Sequence, residues 1–227
     1  MKDLSFLKNK LIAHRGIFDN KIVFENTMLA YKNAIKYGYP IEMDVRMLKD
    51  GTIVCFHDET LDRLQHIDSN VENMTYEELS FISKYEIPLF EDVLKVINGS
   101  VPLLIELKSL TRKKMLETKV AELLDNYDGL FAIQSFNIST LKWFYKNRPK
   151  YITGYLVCKK NFKKDYFFKK YDFITINILI YNDKKIKKMR ENKTIIGYKI
   201  TSINEYEKTV NLYDNLICDD ILEIKSL

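Results

Sequence analysis

Two of the three histidines in the chain end short apolar runs, and each is followed by a charged residue. His14 ends the run "LIA" and precedes Arg15, whose guanidinium can bind a phosphate through two parallel hydrogen bonds. His57 ends the run "IVCF" and precedes Asp58, which can orient the imidazole or compensate its charge. Two histidines placed in this way suit a general acid and a general base. The third, His66, lies in a polar stretch, and we expect it at the surface.

Three carboxylates alternate with apolar residues in two further runs. "PIEMDV" contains Glu42 and Asp44, and "LLIELK" contains Glu106 and Lys108. Because strand side chains alternate between faces, the apolar set is expected to pack outwards and the charged set to face inwards. Three close carboxylates cannot all stay ionised without counter-charges. Lys108 supplies one, and a hard divalent cation bound by oxygen ligands would supply the rest.

The chain contains no G-x-S-x-G motif of a serine nucleophile, no C-x-x-C pair and no H-E-x-x-H zinc motif, so its chemistry needs neither a serine nor a cysteine nucleophile. Cys55, Cys158 and Cys218 are widely spaced in apolar runs and are predicted to be reduced core residues. The residues alone therefore predict a metal-assisted, two-histidine acid–base enzyme that acts on a phosphate or another oxyanion.

Eight apolar, β-branched runs alternate with helical patterns, which predicts parallel strands joined by crossover helices. Eight such units predict an α/β fold with a single (β/α)8 barrel over residues 1–227. A doubly wound open sheet is the alternative, but it commonly has fewer strands and a glycine-rich phosphate turn. The predicted strands are Leu11–His14, Pro40–Val45, Pro102–Lys108, Leu130–Gln134, Ile152–Val157, Phe173–Asn177, Ile195–Ile200 and Leu216–Asp219. The predicted helices lie near 26–37, 89–98, 112–126, 138–147, 161–170, 183–192 and 203–213.

Residues 46–87 interrupt this alternation between the second strand and its helix. A connection of that length is uncommon, and loops that follow strands form the catalytic face of a barrel. The barrel also places the ends of its strands at one mouth, where the histidines and carboxylates would meet. We therefore expect a small insertion there that contributes to function.

The net charge of +5, from 36 basic and 31 acidic residues, mildly favours anionic partners. The densest basic stretch, residues 159–172, could contact phosphates or a membrane surface, but a solvated helix is the favoured interpretation. Neither a signal peptide nor an apolar run of roughly 18 residues, as a membrane span requires, is present. The sequence thus predicts a cytoplasmic protein without nucleic-acid partners, and leaves its oligomeric state open.

The segments that carry these residues resemble the glycerophosphodiester phosphodiesterase family. They are "AHRG" (13–16), "ENT" (25–27), "EMDVRMLKDGTIVCFHDETLDR" (42–63), "MTYEEL" (74–79), "IPLFEDVL" (87–94), "LLIELK" (103–108) and "QSF" (134–136). The rest of the chain matches only by its strand pattern. The resemblance implies a TIM barrel that hydrolyses a small glycerophosphodiester to glycerol phosphate and an alcohol.

The resemblance also implies roles for particular residues of this chain. By this resemblance His14 and His57 would be the acid–base pair. Glu42, Asp44 and Glu106 would hold one Mg²⁺ or Ca²⁺, and Arg15 and Lys108 would bind the phosphate. The resemblance does not say which histidine is the acid. The attacking group can be water or the neighbouring glycerol hydroxyl, which would first give a cyclic phosphate.

Three positions depart from the family pattern. Phe24 replaces a common proline, the stretch "GYKITSIN" lacks a common tryptophan, and "ICDDI" keeps Asp219 but lacks the following proline. Tyr198 is the candidate for the aromatic place in an alcohol-side pocket. Since that pocket determines the accepted diester, the same chemistry on a glycerol-phosphate polymer, a lysophospholipid or a surface-polysaccharide phosphodiester is an alternative. A catalytically silent binding barrel is the alternative from another class.

Overall fold

A computed structural model describes residues 2–108, 114–160, 170–180 and 183–225. Within these residues, eight parallel strands close into a barrel, because the first strand pairs with both the second and the last. The order around the barrel is β1, β2, β4, β5, β6, β7, β8 and β9, and β3 pairs antiparallel with β2. The strands are β1 (Ile12–His14), β2 (Ile41–Met47), β3 (Ile53–Cys55), β4 (Leu103–Leu107), β5 (Phe131–Ser135), β6 (Ile152–Val157), β7 (Phe173–Asn177), β8 (Thr194–Ile200) and β9 (Asn215–Cys218). The predicted (β/α)8 barrel is confirmed, and the open-sheet alternative is wrong.

Nine helices lie within the described residues: six where the helical patterns predicted them, and three, two in the insertion and one after the last strand, that were not predicted. They are α1 (Met28–Tyr37), α2 (Asp62–Gln65), α3 (Tyr76–Ile82), α4 (Phe90–Ile97), α5 (Met115–Leu124), α6 (Ile138–Asn147), α7 (Asp183–Arg190), α8 (Ile203–Thr209) and α9 (Ile221–Lys225). The helix predicted near 161–170, and with it most of the basic stretch 159–172, lies outside the described residues. No helix in the described ranges is long and apolar enough to cross a bilayer.

The barrel interior changes from apolar to charged along the strands. Its N-terminal half is filled by a cluster of buried apolar residues, and a short 3₁₀ helix, Ser5–Leu7, packs against that cluster through Phe6 and Leu7. The strand residues of this cluster are Ile12, Leu104, Ala132, Phe173, Ile196 and Ile217. Outward-facing strand residues pack against the helices in a separate, larger core. This packing leaves the C-terminal mouth as the place where inward-facing charged residues gather.

The insertion predicted at 46–87 is a folded unit. It contains β3, α2, a 3₁₀ turn at Val71–Asn73 and α3. Its own apolar cluster comprises Leu48, Val54, Phe56, Leu61, Val71, Leu79 and Ile87. Burial of this cluster stabilises the unit, which holds the end of β3 beside the barrel mouth.

Gly16 lies where the chain turns from β1 towards α1, with a φ of 89°. A Cβ added there would lie 2.7 Å from the carbonyl carbon of Ala30 and 2.8 Å from its Cβ. We expect Gly16→Ala to lower the free energy of unfolding by about 2–4 kcal/mol, because positive-φ strain adds to a clash with α1. Urea denaturation measures this change.

Gly51→Ala is the matched control for the clash. Gly51 also has a positive φ, 85°, but an added Cβ there would meet only the flexible end of Lys119. We expect a smaller loss of about 1–2 kcal/mol, from backbone strain alone. If the two variants lose equal free energy of unfolding, the close approach of residue 16 to Ala30 of α1 is not the reason for glycine at that position.

Candidate active site

The charged residues predicted from the sequence meet at the C-terminal mouth of the barrel. There a cavity of about 210 Å³ is lined by residues from all eight barrel strands and from the insertion. Its charged and aromatic lining comprises His14, Arg15, Glu42, His57, Glu106, Lys108, Phe136, Tyr198 and Lys199. Asp44 is fully buried and forms ion pairs with two of these side chains, Arg15 and Lys108. The structure thus brings every predicted site residue to one location.

Three carboxylates form a compact cluster at this location. Asp44 of β2 is in register with Glu106 of β4, and Glu42 lies two residues earlier on the same face of β2. All three are buried, and one oxygen from each can be chosen so that the three lie within 4.8 Å of one another. The intervening Met43 packs into the outer core, as the alternating pattern predicts.

Two cations partly neutralise this cluster. The Nζ of Lys108 lies 2.6 Å from Glu106 Oε1 and 3.1 Å from Asp44 Oδ1. The Nε of Arg15 lies 3.2 Å from Asp44 Oδ2. These neighbours hold the pKa of the Asp44 carboxyl well below its usual range, although burial acts in the opposite direction.

The other two carboxyls have raised pKa values. Burial is the main cause for Glu42, reinforced by repulsion from Asp44 and Glu106. Burial also raises the pKa of Glu106, and Lys108 only partly offsets it. The protein's own cations therefore offset only part of the cost of burying the three carboxylates together.

The cluster fits a hard divalent cation. Its donors are carboxylate oxygens, which Mg²⁺ and Ca²⁺ prefer. Oδ1 of Asp44 is buried and, although Lys108 Nζ lies 3.1 Å away, accepts no hydrogen bond from the residues described, so it retains a lone pair for a metal. The residues that would hold the ion are Glu42, Asp44 and Glu106.

His14 is held by the opposite end of the chain. Its Nδ1 forms a short hydrogen bond with Asp219, which follows β9, and its Nε2 lies 3.9 Å from Glu42 Oε2. Burial lowers the pKa of His14 despite the opposing effect of Asp219. Burial would raise the pKa of Asp219, but hydrogen bonds from His14 and Lys199 outweigh it and lower that pKa to about 2. Asp219 thus stays ionised and directs Nε2 of the imidazole towards the carboxylate cluster.

His57 is positioned from within the insertion. Its Nδ1 lies 2.6 Å from Asp58 Oδ1, as the sequence predicted, and Arg63 Nε donates to the other oxygen of Asp58 at 2.6 Å. Arg46 donates two hydrogen bonds, of 3.0 and 2.8 Å, to the carbonyl oxygen of His57. Burial would raise the pKa of Asp58, but the hydrogen bonds with His57 and Arg63 lower it to about 2. The backbone and the ring of His57 are therefore both fixed.

Two neighbouring residues of the site were not singled out from the sequence. Glu25 accepts hydrogen bonds from both Arg15 and Arg63, which ties the β1–α1 loop to the insertion. Asn26 donates to Asp44 Oδ2 at 2.9 Å and is itself held by the hydroxyl of Tyr31. The matched stretch "ENT" was the available signal, although it did not indicate these contacts.

Two aromatic residues, Phe136 and Tyr198, form part of the wall of the same cavity. The hydroxyl of Tyr198 donates to the carbonyl oxygen of Val157 at 3.1 Å, and its ring centroid lies 6.3 Å from that of Phe136. Lys199, beside it, lies 2.7 Å from Asp219 Oδ2. This wall is where the sequence places an alcohol-side pocket, which stays a prediction.

Among the residues predicted to lie outside the chemistry, His66, Cys55 and Cys218 lie where expected, whereas the prediction that Cys158 is a core residue is wrong. His66 is exposed and ends α2. Cys55 and Cys218 are buried and Cys158 is half-buried, and none of the three forms a disulfide.

Comparison with known proteins yields one consistent family. A model of the glycerophosphoryl diester phosphodiesterase family matches residues 14–215. A glycerophosphodiester phosphodiesterase of Bacillus altitudinis is 36% identical over 156 residues, which are 62% of this chain and 63% of that protein. One of Caldanaerobacter subterraneus is 34% identical over 165 residues, or 66% and 67% of the two chains. The match thus spans less than two thirds of the Bacillus protein.

Solved structures show the same fold at low identity. An Oleispira antarctica phosphodiesterase in complex with the product sn-glycerol-3-phosphate has a TM-score of 0.83 and 21% identity, covering 97% of this chain and 96% of that one. A putative glycerophosphoryl diester phosphodiesterase of Silicibacter pomeroyi has a TM-score of 0.86 and 17% identity, covering 98% and 95%.

Proposed function

The chain belongs to the glycerophosphoryl diester phosphodiesterase family, and we propose that it hydrolyses a glycerophosphodiester to glycerol phosphate and an alcohol. One observation carries this proposal: two oriented histidines, a three-carboxylate cluster, an arginine and a lysine converge at one small cavity. The relatives from Bacillus altitudinis and Caldanaerobacter subterraneus carry the corresponding enzyme name. The sn-glycerol-3-phosphate bound to the Oleispira antarctica protein is the product expected here.

Hydrolysis breaks the bond between phosphorus and the alcohol oxygen and forms a new bond from phosphorus to the attacking oxygen. One histidine of the pair His14 and His57 removes the proton of the attacking group. The other donates a proton to the departing alkoxide, so water is consumed overall and an alcohol is released. Because Asp219 and Asp58 engage the Nδ1 atoms, each ring has its Nε2 available for this transfer. Attack by the neighbouring glycerol hydroxyl uses the same groups and then needs water to open the cyclic phosphate.

The negative charge of the phosphate requires cations close to its oxygens. Glu42, Asp44 and Glu106 would hold a divalent cation, Mg²⁺ or Ca²⁺, which would supply positive charge against the negative charge that develops on the phosphate oxygens. Lys108 and Arg15 line the same cavity and add donors for those oxygens. The side chains of Lys108 and Arg15 also form ion pairs with Asp44. The groups that would bind the phosphate are therefore the same ones that neutralise the carboxylate cluster.

The reaction is tested by supplying purified protein and Mg²⁺ or Ca²⁺ with glycerophosphocholine, glycerophosphoethanolamine and glycerophosphoglycerol. We expect equimolar release of glycerol phosphate and the alcohol, detected by coupled enzymatic assay and by ³¹P NMR. Failure to cleave any member of a broader panel that also holds a glycerol-phosphate oligomer and a lysophospholipid would contradict the hydrolase and favour the silent binding barrel.

A further inference from the structure

A second cavity of about 650 Å³ adjoins the candidate active site. The described residues that line it are Cys158, Lys159, Lys160, Asn177, Leu179 and Ile180. Asn177 also lines the candidate active site, so the two spaces meet at this side chain. The candidate active site holds about 210 Å³, less than the roughly 300–1,000 Å³ common for ligand pockets, so a whole diester needs space beyond it.

Tyr198 lies beside the residue at which the two cavities meet. Tyr198 of β8 is in register with Asn177 of β7. Its hydroxyl is bound to the carbonyl oxygen of Val157, the residue before Cys158. Tyr198 therefore lines the active site next to Asn177 and is tied to the residue that precedes the second cavity. A substrate whose phosphate lies by the carboxylates reaches the second cavity past this ring.

The charge of the second cavity selects among alcohols. Two lysines, Lys159 and Lys160, line it, and no carboxylate does among the residues that the structure describes. The insertion on the far side of the mouth has the opposite character, with nine acidic and four basic residues in 46–87. Among the described lining residues, a cationic alcohol such as choline therefore finds no carboxylate, whereas an anionic group finds two ammonium groups.

The rest of the lining suits the carbon skeleton of such an alcohol. Leu179 and Ile180 supply apolar surface, and Asn177, whose Oδ1 accepts from the Leu179 N–H at 3.0 Å, supplies its side-chain NH₂ group for hydroxyl groups. Both lysines are exposed, so their flexible stems can follow a phosphate that lies at the edge of the cavity.

We propose that the second cavity binds the alcohol half of the substrate and that the preferred alcohol carries a negative charge of its own, such as a terminal phosphate. The inference rests on the proposed hydrolase function and specifies its substrate class. Diesters that end in an anionic group, of which a short glycerol-phosphate oligomer is an example, belong to this class. Choline and ethanolamine diesters are poorer substrates.

The test uses two diesters with the same glycerophosphate half. One is glycerophosphocholine, and the other is a glycerophosphodiester of glycerol that bears a terminal phosphate monoester. For the metal-loaded protein we expect kcat/KM to be at least about tenfold higher for the phosphate-bearing diester, and the preference to shrink as ionic strength rises. The variant Lys159→Glu/Lys160→Glu is expected to lower kcat/KM at least about tenfold for the phosphate-bearing diester and not for glycerophosphocholine.

A matched variant controls for net charge. Lys146→Glu/Lys150→Glu makes the same change at exposed positions near the C-terminal end of α6, at the opposite end of the barrel. It is expected to retain the preference of the unmodified protein.

The outcomes separate this inference from the hydrolase function. Hydrolysis of glycerophosphocholine at an equal or higher kcat/KM, or a Lys159/Lys160 variant that behaves like its control, overturns the inference and leaves the hydrolase intact. Hydrolysis of neither diester counts against the hydrolase, and binding then decides the inference. Calorimetry then measures the Kd of the phosphate-bearing diester for the His57→Ala variant and for the same variant carrying Lys159→Glu/Lys160→Glu. We expect at least about tenfold weaker binding to the protein with the lysine substitutions, and equal Kd values overturn the inference.

Discussion

His14→Ala and His57→Ala are each expected to lower kcat/KM for a glycerophosphodiester by about 10²–10⁴-fold, because each removes a group that transfers a proton in the transition state. Both rings are held at Nδ1 by ionised aspartates and lie at the same cavity. Steady-state kinetics on folded variants measures the loss. The double variant is expected to lose much less than the product of the two single losses, since the two groups act as a unit.

The same variants can assign the acid and the base. A diester with a nitrophenol leaving group departs without protonation, so loss of the general acid costs little with this substrate. The histidine whose alanine variant regains most of its rate on the nitrophenyl diester is therefore the acid. The other variant is expected to stay impaired on both substrates. Near-normal kcat/KM in either variant on an alkyl diester would contradict the proposed pair.

Two controls distinguish chemistry from positioning. Asp219→Asn keeps His14 but removes the charge that orients it, so we expect a loss of only about tenfold. His66→Asn changes an exposed histidine that ends α2 with a φ of 55°, a conformation that asparagine tolerates, and is expected to have no effect on kcat/KM. A loss at His66 comparable to that at His14 would show that the assay reports stability rather than proton transfer.

The barrel and its central residues were predictable because both follow from alternation. Strands and helices alternate along the chain, and apolar and charged residues alternate within β2 and β4, which is enough to place Glu42, Asp44 and Glu106 on one inner face. The predicted strand ends agree with the structure to within two residues.

The contacts that orient the site depend on closure and on loop conformation, which alternation does not describe. Asp219 meets His14 across 205 positions because β9 pairs with β1. That neighbour relation follows from a closed barrel, but the side-chain pairing does not. Asn26 adopts a φ of 56°, and its hydrogen bond to Asp44 requires that local geometry. The insertion was predictable as a long connection, whereas its own apolar cluster emerges only from its fold.

Removal of divalent cations with EDTA is expected to lower kcat/KM by at least about 10²-fold, with recovery on addition of Mg²⁺ or Ca²⁺. The physical reason is the charge imbalance at the mouth. Three buried carboxylates face Lys108 and Arg15, and Arg15 is also shared with Glu25. Burial raises the pKa values of Glu42 and Glu106, and the neighbouring cations offset this effect only in part.

A measurement without turnover separates metal binding from catalysis. A ligand that binds only the folded state raises Tm, so Mg²⁺ or Ca²⁺ is expected to stabilise the protein in thermal unfolding. Glu42→Gln/Glu106→Gln removes two of the three carboxylates and is expected to abolish that shift, whereas Glu91→Gln/Glu122→Gln, at a separate cavity on the outside of the barrel, keeps it. If full activity survives EDTA and the cations leave Tm unchanged, Lys108 bridging Asp44 and Glu106 would be the counter-charge that the cluster requires, and the residues would act on the diester without a metal.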